Sequence, residues 1–126
     1  MEQIFHDGTL IGLLLMSFDD GTSPITDAPG ALQVLTLKHP KGTVLAAHTH
    51  TPTERTTASL QECVVVKSGE ITVDLYSPNK ILFRKIKLTQ GQAFLCLNGG
   101  LGIHMDEDSE LFEFKNGPFV EDKELI

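Results

Sequence analysis

Glycine and proline recur at short intervals along this sequence, and between them lie brief apolar segments with strand chemistry and almost no helical period. That punctuation limits the chain to an all-β class. Expected strands are Ile11–Phe18, Leu32–Lys38, Thr43–Thr49, Glu62–Lys67, Glu70–Ser77, Ile81–Leu88, Ala93–Leu97, Gly102–Met105 and Glu110–Lys115. In Ile71-Thr72-Val73-Asp74-Leu75-Tyr76 the odd positions are apolar, so one face is buried and the other meets solvent. Turn formers such as Lys67-Ser68-Gly69, Ser77-Pro78-Asn79-Lys80, Thr89-Gln90-Gly91 and Asn98-Gly99-Gly100 imply antiparallel neighbours. Asp19–Gly30 and the threonine-rich Thr51–Ser59 read as surface loops, and Glu121–Glu124 as a solvated tail.

A chain of 126 residues supports one core, so a single domain spanning 1–126 is expected. Hydrophobic residues at 40% and charged residues at 21% give an ordinary globular balance. Seventeen acidic against ten basic side chains leave a formal charge of −7, which disfavours nucleic acid and anionic membrane surfaces as partners. The apolar run Leu10–Met16 is far shorter than the ~20 residues that span a bilayer, and it follows Glu2 and Asp7 rather than a positive start. A cytoplasmic protein is expected. Two cysteines agree with that, and Cys63 and Cys96 read as buried reduced thiols inside apolar strands.

Read as a strand running on to His50, the segment Thr43–Thr49 puts His48 and His50 on one face, where two imidazoles can grip one ion. The wider pattern is Gly42-x5-His48-x-His50-x11-Glu62-x6-Gly69. It resembles the first motif of the cupin superfamily. The family's usual gap before the glutamate is short, whereas eleven residues intervene here, and Glu54 meets the shorter spacing. Glu62 is preferred because Glu62–Gly69 keeps the strand and the turn glycine, with the extra residues forming a longer loop. A second motif, Gly-x5-Pro-x-Gly-x2-His-x3-Asn, starts at Gly91 with Leu97 in the proline position. It then departs: Gly102 stands where the histidine is expected, the histidine comes at His104, and Asp106 takes the asparagine position.

The resemblance covers about Leu32 to Phe119 and includes the late element Lys115-Asn116-Gly117-Pro118-Phe119. It implies a double-stranded β-helix, a jelly-roll barrel, holding one divalent transition metal (Fe, Mn, Ni, Co or Zn) on His48, His50, Glu62 and His104. It further implies a metal-dependent isomerase, epimerase or dioxygenase acting on a small sugar, keto acid or related carbonyl compound. A non-catalytic binding or sensing module is the alternative. Arg55 is the candidate for orienting substrate, and Asp106 or Glu107 for moving protons. Sheet edges need covering, and cupins often pair through them, so a homodimer is expected, with Ile11–Phe18, apolar on both faces, as a strand to bury between subunits. His6 and His39 read as surface residues, and Phe94 and Phe112 mainly as core.

Overall fold

Val and Ile at alternate positions, with a tight turn between two such runs, produce the centre of the molecule. The computed structural model describes residues 1–126. Its elements are β1 (Glu2–His6), β2 (Thr9–Leu15), β3 (Gly21–Pro24), β4 (Leu35–Lys38), β5 (Glu62–Ser68), β6 (Glu70–Tyr76), β7 (Leu82–Thr89), β8 (Ala93–Cys96), β9 (Gly100–Met105) and β10 (Glu110–Lys115). Between β5 and β6 the chain reverses at Gly69, whose φ of 92° suits glycine, and a side chain there would collide with Ser109. The protein is all-β, and no helix is present that could cross a membrane.

Three antiparallel sheets form: a five-stranded sheet ordered β1-β2-β8-β5-β10, a three-stranded sheet ordered β7-β6-β9, and the β3-β4 pair. Ile71, Val73 and Leu75 of β6, with Ile86 and Leu88 of β7, pack against Val64, Val66, Phe94, Cys96, Ile4 and Leu14 of the larger sheet. The larger sheet is buried on its other face as well. There Leu13, Leu15, Cys63, Ala93 and Leu95 are covered by Leu10, Ile25, Leu32, Val34 and Leu97. At one margin Arg84 of β7 grips both carboxylate oxygens of Glu2 on β1, at 2.6 and 3.2 Å, tying the two larger sheets together.

Four expectations change. The sheets keep free edges and no closed barrel forms, so the architecture is that of an antiparallel sandwich. Residues 43–50 form no strand; they belong to a stretch, 39–60, that is exposed throughout, with Val44 87% exposed. A strand gains stability only by pairing its backbone groups, and residues 43–50 join none of the three sheets. Conversely, β3 arises inside the expected loop Asp19–Gly30, pairing with β4 from Gly21↔Lys38 to Pro24↔Leu35. The run of leucines in β2 needs no second subunit to bury it, because both faces of that strand are covered within one chain.

Candidate functional site

Glu62 begins β5 on the same face as Val64 and Val66, turned toward the three-stranded sheet. Its cross-strand partners are Cys96 of β8 and Lys115 of β10. Alternation along β10 brings Leu111, Glu113 and Lys115 to that same face, Leu111 into the core and the two charged residues beside Glu62. The Lys115 ammonium lies 2.8 Å from Glu113 Oε1 and 3.5 Å from Glu62 Oε2. Glu62 is the most sheltered of the three side chains, at 23% exposure.

Electrostatics push the two carboxyl groups apart. Burial, and then the negative charge of Glu113, hold the Glu62 carboxyl above its ordinary value, against the pull of Lys115. The hydrogen bond from Lys115 holds Glu113 below its own ordinary value, with a further contribution from Lys123. Burial, with Glu62 adding to it, raises the Cys96 thiol to about 12, and its Sγ–H points to the Asn98 carbonyl at 3.5 Å. The thiol is therefore a packing group rather than a nucleophile.

Beside this cluster lies a cavity of about 430 Å³, walled on one side by Thr57–Leu60 and on the other by Lys115–Lys123. Lys115 belongs to both the cluster and the cavity wall. Asn116 staples the two walls together, its side-chain oxygen accepting from Gln61 N at 2.8 Å and its amide donating to the Ser59 carbonyl at 2.9 Å.

The residues singled out from sequence are distributed differently. His48 and His50 are exposed in the irregular stretch, their ring centroids 5.0 Å apart, with His48 Nδ1 bonded to the Ala46 carbonyl at 2.9 Å. His104 stands opposite Thr72 and is joined at 2.7 Å to Asp74 Oδ2, on the outer face of the three-stranded sheet, away from Ile71, Val73 and Leu75. Gly102, opposite Asp74, faces the same way, so a histidine at either position lies on the far side of that sheet from Glu62. Arg55 donates to the Thr53 carbonyl at 3.1 Å within the irregular stretch. Asp106 accepts from Thr72 Oγ1 at 2.7 Å, again on the outer face, and Glu107 and Glu54 are exposed.

His48, His50, Glu62 and His104 are not brought together into one ligand set: the first two lie in the irregular stretch, Glu62 on the inner face of the large sheet and His104 on the outer face of the small one. No group of three or more His, Cys, Asp or Glu side chains is placed to hold one.

Glu113 and Lys115 escaped notice in the sequence, although the alternation of Glu110–Lys115 was a legible signal that they share a face. Their neighbour in space, Glu62, required the β5–β10 pairing, which joins positions some fifty residues apart.

No protein-family model matches the chain, and no curated protein or solved structure matches it. Fold and cluster together define a class: an antiparallel β-sandwich with a polar group of three, Glu62, Glu113 and Lys115, on the inner face of one sheet.

Proposed function

We propose that this chain is a jelly-roll protein of cupin type that binds a small polar carbonyl compound, such as a sugar or keto acid, and moves a proton on it. The strand order supports the fold. From β5 to β10 the chain visits the large sheet, the small sheet twice, the large, the small and the large again, which is the alternation a jelly roll generates. One observation carries the chemistry: Lys115 walls the cavity and at the same time holds two carboxyl groups whose proton affinities are driven in opposite directions. Such a pair divides into an acid and a base. Glu62, which keeps its proton more tightly, is the donor; Glu113 is the acceptor; Lys115 orients the ligand's carbonyl or carboxylate oxygen.

The reading is tested by thermal-shift screening of sugars and keto acids, with calorimetry on each compound that binds and deuterium exchange at the carbon beside its carbonyl. The expected result is binding weakened about tenfold or more by Lys115→Met, unchanged by His104→Ala, with deuterium exchange abolished by Glu113→Gln, which removes the acceptor. Binding with no exchange would leave the non-catalytic module as the better description.

A second reading, metal binding, is favoured by the closeness of the two imidazoles His48 and His50. It predicts that dialysed protein takes up Ni, Co or Zn stoichiometrically and that a His48→Ala, His50→Ala double variant does not, as measured by elemental analysis.

A further inference from the structure

A sheet edge presents unpaired backbone groups, and proteins blunt such edges with charge, bulges or irregularity. Among the four edges of the two larger sheets, β7 is blunted by Arg84, Lys85 and Lys87, β1 by a bulge between Ile4 and Phe5, and β9 by Gly100 and Gly102 among its six residues. The fourth edge, β10, is regular from Leu111 to Lys115, its only irregularity falling between Glu110 and Leu111. It also displays Phe112 and Phe114, 52% and 54% exposed, with rings stacked 6.1 Å apart on the outer face.

We infer that the β10 edge pairs with β10 of a second copy of this chain, antiparallel, about a two-fold axis passing through Phe114. Charge and pleat select that register. Residues directly opposite each other in an antiparallel pair share a face, so an outward phenylalanine must meet an outward position. With the axis at Phe114 the two copies of Phe114 face each other, and Glu113 of each copy faces Lys115 of the other. Moving the axis to Glu113 sets carboxylate against carboxylate. Moving it to Lys115 sets ammonium against ammonium, and at Phe112 it sets Leu111 against Glu113. Only the Phe114 register gives opposite charges twice over, and it joins two five-stranded sheets into one continuous sheet. The inference shares Glu113 and Lys115 with the proton-transfer reading but does not rest on it, since the pairing of their charges holds whether or not either group moves a proton, and the cross-linked residue, Phe114, lies on the face opposite the cluster.

The experiment is cysteine cross-linking in the full chain, read on non-reducing gels alongside sedimentation velocity of the unaltered protein. Opposed residues in such a pair have Cα atoms about 4.5–5.5 Å apart, within reach of a disulfide. Both variants carry Cys63→Ala, because Cys63 lies directly opposite Phe114 on β5 and would otherwise close a disulfide within one chain; the remaining native thiol, Cys96, is buried and raised to about 12 and stays silent. Expected are a dimer at micromolar concentration, a covalent dimer from Phe114→Cys under mild oxidation, and at least tenfold less from Phe112→Cys. A monomer at every concentration overturns the inference. So does a dimer in which position 114 fails to cross-link, or one in which 112 and 114 cross-link equally.

Discussion

Asp74 shows how a single polar residue can be held in a sheet that otherwise sorts apolar from charged. It sits between two fully buried neighbours, Val73 and Leu75, but on the opposite face, where His104 reaches one oxygen at 2.7 Å and Lys85 the other at 3.1 Å. The His104 hydrogen bond, then that of Lys85, hold its carboxyl below the ordinary value of 3.8. A carboxyl depressed in the fold contributes stability that is present above the unfolded value and lost as pH falls through the folded one. Asp74→Asn is therefore expected to melt below the parent protein at neutral pH, the gap closing in acid, as followed by thermal denaturation across pH. Glu62 has the opposite sign. Its carboxyl is raised above 4.5, so the stability it contributes is present below that value and lost as pH rises through the folded one. Glu62→Gln cannot ionise, and its melting temperature is expected to exceed the parent's at about pH 8 and to match it near about pH 4. The thiols give a third residue-scale test. With Cys63 at about 11 and Cys96 at about 12, a thiol reagent at about pH 8 meets thiolate fractions of only about one in a thousand and one in ten thousand. Labelling is expected to be slow until denaturant opens the fold.

At the scale of elements, the contrast between the core strands and the stretch 39–60 is a contrast of pairing. Each core strand has neighbouring strands that take up its backbone groups; residues 39–60 pair with no strand and stay exposed. Limited trypsin digestion is expected to cut first after Lys41 and Arg55, before any lysine or arginine of β5, β7 or β10, with mass spectrometry locating the cuts. Phe94, the largest fully buried side chain, belongs to β8 and touches the strands on both sides. Phe94→Ala is expected to cost about 3–5 kcal/mol, measured by urea unfolding. This scale also shows where sequence reading succeeds and stops. The bounds of β10 were expected at Glu110–Lys115 and found there, and β5 and β6 fell within a residue of expectation, because alternation and turn glycines are local signals. The segment 43–50 has the same local signal and no strand. What decides it is a partner elsewhere in the chain, which no local window contains.

For the molecule as a whole, the all-β class and the antiparallel pairing were legible from punctuation, whereas the layering was not. The sequence of β2, apolar at every position from Leu13 to Leu15, suggested burial between subunits; a third layer, contributed by the stretch around Ile25, Leu32 and Val34, covers it instead. Of the candidate cluster only Glu62 stands out in the sequence, and there as a metal ligand rather than a partner of Glu113 and Lys115, because those companions depend on which strand lies beside β5. The buried strand β2 also raises a problem of alignment. In a strand with one wet face, a slip of one residue exposes the wrong side chains and is rejected. A strand of leucines loses nothing by slipping, so some other device must fix it. Gly12 is that device: the Phe94 ring occupies the space a side chain would take there, and the Leu95 carbonyl closes in beside it. A slipped β2 would drive Ile11 or Leu13 into that ring, and β1, whose only strand partner is β2, would lose its register with it. The notch thus acts as a key for the whole N-terminal third of the large sheet, and adding one methyl group by Gly12→Ala jams it, at an expected cost of about 1–3 kcal/mol by the same urea measurement.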